Sequence, residues 1–343
     1  MQIEAKKLSD IISVAKLFLS ESVVNDSLRH VTFYDKMVVA RNAHAGMVYF
    51  TDFGLEKEFT TPFDMFVKLG TLLDKKAPMV KVTFTATSIS WNLGSYRYKT
   101  GLADLQEFIM ELPDDAQIIA APSVFQQLLS SAAFSASFDV RQPSLCGVQI
   151  DNGMVMACNN ARAYIERASV LDSTINLFIP RELLVILAGI SHELLGIAMT
   201  ENLVYFMYNG FMIFSLLREG TYPNLVKLFN RPQESACLGE ISGYNMAHAE
   251  LDRFAVFGKR FGYSAIVKID GSQLCITMGT LSVASSEEFA LTVEVESSVT
   301  ALEFRVNAQC FIDGLRRFAS CKIYESFLYF SNAEAEHMIM LMK

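Results

Sequence analysis

Residues 148–157 read VQIDNGMVMA, with apolar residues alternating on both sides of Asp151, Asn152 and Gly153. Asn and Gly tolerate the positive φ of tight hairpin turns, and an apolar period of two is typical of half-buried strands. The pattern recurs as VTFYDKMVVA at 31–40 and VKIDGSQLCITM at 267–278. Its aspartates, Asp35, Asp151 and Asp270, are spaced 116 and 119 residues apart. The sequence therefore predicts three hairpins in a repeated unit.

Amphipathic segments precede and follow each hairpin. Apolar residues recur at i, i+3, i+4 and i+7, as in Leu8, Ile11, Ile12 and Ala15, which predicts helices. The predicted helices span 6–21, 63–76, 122–136, 181–192, 241–260 and 308–322. A further strand pair follows the second helix of each unit, at 81–101, 195–217 and 321–343.

Polar segments that contain proline, at 111–117 and 230–235, are candidate linkers. They divide the chain into predicted domains at 1–113, 117–231 and 235–343. The predicted fold class is α+β, with three copies of one domain.

Composition and motifs argue against several classes of protein. About half of the 343 residues are apolar, as in globular proteins, and no apolar run approaches the ~18 residues of a membrane span. The six cysteines form no CxxC pair and the N-terminal residues show no signal peptide, so we expect reduced thiols in a cytoplasmic protein. The five histidines lack metal-ligand spacing, and there is no GxSxG, HxxH or phosphate-binding glycine loop. We expect no cofactor, no metal and no enzymatic activity.

Charge is unevenly distributed along the chain. The formal net charge is −8, yet the six predicted helices contain 13 basic and 8 acidic residues, which is +5 and leaves −13 elsewhere. Helices gathered on one face would present a basic surface to a polyanion. Exposed helix faces favour Lys and Arg in any case, so charge alone leaves both interpretations open.

Four segments resemble the bacterial-type DNA polymerase β sliding clamp: CNNARAYIERAS at 158–169, LFIPRELLVIL at 177–187, MIFSLLREGTYPNLVKLF at 212–229 and MIMLM at 338–342. The likeness is strongest from about residue 118 onward. It implies a homodimeric ring of clamp (processivity-fold) domains, with helices inside and sheets outside, around double-stranded DNA. Implied partners are a replicative DNA polymerase and a clamp loader. Departures from the family pattern include Asn160-Ala161 for Gly-His and Cys310 for Tyr, and would suit a phage-encoded member.

The resemblance implies a hydrophobic pocket for partner peptides of the Gln-Leu-x-Leu-Phe type. Arg162 is expected at its rim, and methionine suits its lining because the side chain adapts to varied partners. Alternatively, the 338–342 segment is only a core strand. The residues implied are Leu145, Cys158, Asn160, Ala161, Arg162, Ala163, Pro223, Lys227, Leu228, Asn307, Cys310, Met338, Ile339, Met340, Leu341 and Met342.

The ring implied by the resemblance would have two further functional surfaces, a DNA channel and a dimer interface. The candidate DNA-channel residues are Lys6, Lys7, Lys16, Lys68, Lys75, Lys76, Arg253, Lys259, Arg260, Arg316 and Arg317. The expected dimer interface packs one end of helix 241–260 on an edge strand, through Tyr96, Tyr98, Phe254, Val256 and Phe257. The alternatives are an open, monomeric processivity factor, which would need a stronger basic face, and a protein-binding scaffold with no DNA dependence.

Overall fold

A computed structural model describes residues 2–18, 30–42, 44–55, 57–73, 78–105, 117–121, 123–217, 221–244, 253, 256, 263–279 and 288–342. The chain divides into two compact units. Unit 1 comprises Met1–Gln127 with Glu182–Glu219, and unit 2 comprises Leu128–Arg181 with Gly220–Lys343. Within the described ranges, no helix has the length and apolar character needed to cross a membrane.

The helices of eight or more residues bury one apolar stripe each, as their periodicity predicts. Helix α1 (Ala5–Ala15), for example, buries Leu8, Ile11 and Ile12, and it packs closely on α2 (Phe63–Leu72) because Gly70 leaves room for Ile12. A Cβ atom at Gly70 would lie 2.8 Å from Ile12 Cγ2. The helices within the described residues are α1 (Ala5–Ala15), α2 (Phe63–Leu72), α3 (Phe125–Ala133), α4 (Arg181–Ala188), α5 (Leu225–Phe229), α6 (Arg231–Glu234) and α7 (Ala308–Arg317).

The strands fall into three similar series. The first is β1 (Gln2–Glu4), β2 (His30–Phe33), β3 (Met37–Arg41), β4 (Ala45–Phe50), β5 (Phe59–Pro62), β6 (Met79–Phe84), β7 (Ser88–Leu93) and β8 (Tyr96–Gly101). The second is β9 (Gln117–Ala120), β10 (Gly147–Asp151), β11 (Met154–Cys158), β12 (Arg162–Arg167), β13 (Asn176–Pro180), β14 (Leu194–Met199), β15 (Leu203–Tyr208) and β16 (Phe211–Leu216). The third is β17 (Gly239–Ser242), β18 (Ser264–Asp270), β19 (Gln273–Gly279), β20 (Glu288–Glu294), β21 (Glu296–Ser297), β22 (Ala301–Asn307), β23 (Ser320–Ile323), β24 (Phe327–Ser331) and β25 (Ala335–Met342).

Antiparallel sheets join these series within each unit. Unit 1 has a four-stranded sheet in the order β1-β6-β7-β8 and an eight-stranded sheet in the order β5-β2-β3-β4-β16-β15-β14-β9. Unit 2 has a 13-stranded sheet whose main path is β13-β10-β11-β12-β25-β22-β18-β19-β20. Strand β25 also pairs with β24. Strand β24 in turn pairs with β23, and β23 pairs with β17.

The predicted hairpins are confirmed as β2–β3, β10–β11 and β18–β19. In two of the turns, Asn152 (φ 49), Gly153 (φ 71) and Gly271 (φ 59) adopt the positive φ for which these residue types are suited. Sequence reasoning missed the short strands β1, β9 and β17, and it missed the strands between each hairpin and the helix that follows, which are β4 and β5, β12 and β13, and β20 to β22. It also predicted a strand pair where each series has three strands: β6–β8, β14–β16 and β23–β25.

Several predicted boundaries are wrong. In two predicted helices, the residues at one end form a strand instead. Helix 241–260 cannot begin at its predicted start, since Ile241 and Ser242 pair with Cys321 and Ser320 in β23. Helix 308–322 ends at Arg317, and Phe318 is extended (φ −127, ψ 145). The candidate linker 230–235 contains α6. The three-domain boundaries stay a prediction.

Candidate partner-binding site

The 338–342 segment lies in the interior of the sheet of unit 2. In β25, Ile339 is opposite Arg162 of β12 on one side and Leu328 of β24 on the other. Met338 and Ile339 are buried, whereas Met342 is 44% exposed. Successive strand residues point to opposite faces. The segment is therefore a core strand, and one of its faces also contributes to a cavity.

The cavity has a volume of about 210 Å³. Eight residues predicted for the pocket line it, together with Asn159 and Leu225, which the prediction missed. The lining consists of Leu145, Cys158, Asn159, Arg162, Ala163, Pro223, Leu225, Leu228, Met338 and Met340. Most of these side chains are apolar, and burial raises the pKa of the Cys158 thiol, which keeps it uncharged. The cavity can therefore accept an apolar side chain.

Two asparagines shape the walls. The Asn159 side chain accepts hydrogen bonds from the backbone N–H groups of Ala161 (2.8 Å) and Arg162 (3.0 Å), which fixes the turn between β11 and β12. Asn224 caps α5 by accepting from the Lys227 N–H (3.2 Å). Both missed residues could have been found from the sequence. Asn159 belongs to an Asn-Asn pair typical of turns, and Leu225 is an apolar residue three positions before Leu228, which is the spacing of one helix face.

Arg162 is buried in the cavity wall, not placed at the rim as predicted. Its guanidinium donates to Asp313 Oδ2 (2.5 Å) and to the carbonyl oxygen of Phe134, and it lies 4.9 Å from the Phe134 ring centroid. The ion pair with Asp313 offsets the charge of the guanidinium, so we do not expect it to attract the polar end of a peptide. Its role in this geometry is to hold β12 against α7 and the residue that follows α3.

The other residues predicted for the pocket do not line the cavity. Asn307 is the N-cap of α7 and accepts from the Cys310 N–H (3.0 Å), while Cys310 is buried. The backbone of the last strand is also engaged, because the Met340 N–H donates to the Ala161 carbonyl (2.8 Å) and the Leu341 N–H to that of Ser326 (3.0 Å). The residues that lie outside the cavity are Asn160, Ala161, Lys227, Asn307, Cys310, Ile339, Leu341 and Met342.

A larger groove of about 720 Å³ adjoins the cavity. Pro223 and Leu225 belong to both linings, and Lys227 lies in the groove. The groove is lined by Gln149, Asp151, Asn152, Met154, Met156, Asn176, Thr221, Tyr222, Pro223, Asn224, Leu225, Val226 and Lys227.

Behind the cavity, His337 is fully buried in an aromatic cluster. Its ring lies 5.1 Å from that of Phe134 and 5.7 Å from that of Phe330. Neither ring nitrogen has a hydrogen-bond partner among the described residues. Burial, followed by the charges of Arg162 and Arg317, lowers the pKa of His337 well below its usual 6.5. The folded protein therefore holds a neutral imidazole.

We expect acid to destabilise the fold through His337. The unfolded chain takes up a proton below pH ~6.5 and the folded chain does not, so stability is lost as pH falls, by up to about 1.4 kcal/mol per pH unit. Urea unfolding at pH 7.5, 6.5 and 5.5 should show this loss in the wild type and a smaller loss in His337→Phe. His192→Phe, at an exposed position, is the control. Parallel pH profiles for wild type and His337→Phe would contradict the assignment.

The predicted channel residues that the structure describes lie mainly on solvent-facing helix surfaces. Lys6 of α1, Lys16 directly after it, Lys68 of α2, Arg253 and Arg317 are exposed. Lys7 and Arg316 are half-buried, and the Lys7 ammonium lies 5.3 Å from the Phe53 ring centroid. Lys75, Lys76, Lys259 and Arg260 are outside the described residues.

Two strands lie at sheet edges with complementary charge. Considering only the described residues, β8 pairs with β7 alone and β20 with β19 alone. Arg97 and Lys99 are exposed on one face of β8, and Glu288 and Glu294 are exposed on one face of β20.

The residues predicted for the dimer interface lie partly at these edges. Tyr96 is 64% exposed on β8, and the half-buried Tyr98 donates its hydroxyl to Met65 Sδ (3.0 Å). Val256 is 67% exposed. Phe254 and Phe257 are outside the described residues.

No profile of a known protein family matches the sequence, and no curated protein sequence matches it. Solved structures do match over the whole chain. The C. crescentus β sliding clamp has a TM-score of 0.82 at 14% identity, covering 100% of this chain and 98% of that one. The Thermotoga maritima DNA polymerase III β subunit has a TM-score of 0.80 at 14% identity, with the same coverage.

A third similar structure is the Helicobacter pylori β clamp bound to a DNA ligase peptide. Its TM-score is 0.79 at 13% identity, covering 100% of this chain and 99% of that one. Identity this low establishes architecture alone. The chain has the fold of the bacterial DNA polymerase III β subunit, the β sliding clamp.

Proposed function

We propose that this protein is a DNA sliding clamp: two copies close into a ring around double-stranded DNA and tether a replicative polymerase and other partners. A clamp loader would open the ring. The protein would act in the cytoplasm as a tether and not as a catalyst. The observation that carries the proposal is the match to β clamps over 98–99% of their length together with an apolar cavity at the 338–342 strand.

The cavity supports the tethering role. Its lining of Leu, Pro, Ala and Met side chains suits the Leu or Phe of a short peptide, and methionine adapts to different partners. The Helicobacter pylori clamp of the same fold was solved with a ligase peptide. Because the backbone of β25 is already paired, recognition would depend on side-chain burial more than on strand addition.

Ring closure is supported by the two sheet edges. An unpaired edge strand is a template for another chain, and β8 and β20 carry opposite charges on their exposed faces. We infer that β8 of one copy pairs with β20 of its partner. Tyr96 and Tyr98 would then continue the face formed by Phe289 and Leu291. Two such joints would close a dimer and leave neither edge free.

The exposed lysines and arginines support a loose hold on DNA. A ring retains DNA by topology, so weak phosphate attraction is sufficient, and it should decline steeply with salt. An open monomeric factor would instead depend on that attraction for retention. A protein scaffold would show no DNA dependence.

We expect dimers assembled in the presence of a nicked circular plasmid to remain on it during gel filtration at high salt, and to be released when the plasmid is cut once. Salt screens phosphate contacts but does not unlink a ring. The measurement is the fraction of protein that co-elutes with DNA before and after cutting. The uncut plasmid treated identically is the control, and equal loss from circular and linear DNA would overturn the proposal.

A further inference from the structure

We propose that unit 1 contains a second partner site, built on the same strand frame as the cavity of unit 2, and that the side chain of Phe214 keeps it closed. Its ligand would be the same kind of apolar side chain, so each copy of the chain would have one open site and one closed site. The inference rests on the proposed function, since it takes the cavity of unit 2 as the place where a partner peptide binds.

The two frames have the same strand order and register. In unit 2, strands β11, β12, β25 and β24 lie side by side and align, in one row, Cys158, Ala163, Met338 and Tyr329. The first three of these residues line the cavity. In unit 1, strands β3, β4, β16 and β15 align, in the corresponding row, Arg41, Gly46, Phe214 and Tyr205.

The turn beside each row is also the same. In unit 2, the side chain of Asn159 accepts hydrogen bonds from the two backbone N–H groups that lead into β12. In unit 1, the side chain of Asn42 accepts from the N–H groups of His44 (2.9 Å) and Ala45 (2.9 Å), which lead into β4. An asparagine that closes the turn in this way fixes the path of the strand that follows.

A matching backbone hydrogen bond places the last strand of each frame. The Met340 N–H donates to the Ala161 carbonyl in unit 2 (2.8 Å), and the Leu216 N–H donates to the His44 carbonyl in unit 1 (3.1 Å). Leu216 therefore has in its frame the position of Met340, which lines the cavity. Leu216 is 50% exposed, so unit 1 also presents an apolar side chain at this position.

The two frames differ at the centre of the row. A Cβ atom on Gly46 would lie 2.3 Å from Phe214 Cζ, so the aromatic ring sits directly on the glycine, and the missing side chain is what gives it room. The ring also packs against the buried cluster that includes Tyr205. At the corresponding positions of unit 2, Ala163 and Met338 line the open cavity of about 210 Å³. Phe214 therefore fills the space in unit 1 that a partner's apolar side chain would need.

The first test opens the closed site and counts bound peptides by isothermal titration calorimetry with Gln-Leu-Ser-Leu-Phe. We expect one peptide per chain for the wild type and two for Phe214→Ala, which removes the ring and leaves the strand frame in place. Met212→Ala is the matched control. Met212 is buried two positions away on the same strand and face, but it lies opposite Val48 and not Gly46. This control should bind one peptide per chain.

The second test closes the open site. Ala163→Gly combined with Met338→Phe gives unit 2 the glycine and phenylalanine that face each other in unit 1. That pair already packs in the same strand register, so light scattering should report the wild-type mass. Peptide affinity should fall at least a hundredfold. Met342→Phe, on the same strand but outside the cavity lining, should bind the peptide as the wild type does.

Two sets of results would overturn the proposal. In the first, Phe214→Ala keeps the wild-type mass and still binds one peptide per chain, or Met212→Ala also binds two. In the second, the double variant in unit 2 keeps the wild-type affinity, a result that decides the question even if Phe214→Ala does not fold. All of these leave the proposed function intact. A wild type that binds no peptide would instead reject the tethering role and the closed site with it.

Discussion

Replacing Arg97 and Lys99 together with glutamate is expected to convert the dimer to monomer. Both side chains are exposed on β8, the edge that we infer pairs with β20, where Glu288 and Glu294 are exposed. Like charges placed side by side across an interface cost several kcal/mol, and about 3 kcal/mol weakens a dimer by roughly a hundredfold. Light scattering at low micromolar protein should report half of the wild-type mass.

The complementary variant makes the test specific. Glu288→Lys with Glu294→Lys should also be monomeric alone, since its own β8 is basic. Mixing the two variants should restore a dimer, because one joint then pairs acidic β8 with basic β20 and the other retains the wild-type charges. A heterodimer formed only on mixing would also allow ring closure around circular DNA without a loader. If each variant alone keeps the dimer mass, β8 and β20 are not the joint.

Local chemistry made the hairpins predictable. Asn152 and Gly153 determine their turn within a few residues of sequence, and the apolar alternation beside them does not depend on distant partners. The start of helix 241–260 was not predictable in this way. Ile241 and Ser242 fit a helical pattern, but they pair with Cys321 and Ser320, about 80 residues away in sequence. Periodicity describes a segment's faces and does not identify the strand that will pair with it.

The predicted pocket included every residue of the 338–342 segment. In a strand, successive side chains point to opposite faces, so only some of these residues can line one cavity. Met338 and Met340 line the cavity, whereas Ile339 between them is buried on the opposite face. The period of two could have excluded Ile339 from sequence alone. The burial of Arg162 could not be foreseen, because its partner Asp313 lies 151 positions away and on a different element.

Met340→Glu is expected to weaken binding of the Gln-Leu-Ser-Leu-Phe peptide by about a hundredfold or more and leave the dimer mass unchanged. Met340 lines the cavity and is only half-buried, so a carboxylate can reach solvent while the protein is free. A bound leucine or phenylalanine would desolvate that charge and lose the burial worth ~1.5–3 kcal/mol per side chain. Fluorescence anisotropy measures the affinity, and light scattering checks the assembly.

The same strand supplies a matched control. Met342 has the same side chain two positions further along β25 and is 44% exposed, but it does not line the cavity. Met342→Glu should therefore bind the peptide as the wild type does. This comparison is sharper than truncation, because removing the end of β25 would also remove Ile339, which is fully buried between β12 and β24. Equal loss in both variants would point to disruption of the strand, and no loss in Met340→Glu would place the peptide elsewhere. Only a loss confined to position 340 assigns the cavity to the partner, because the two variants differ in where the charge is placed and not in its size.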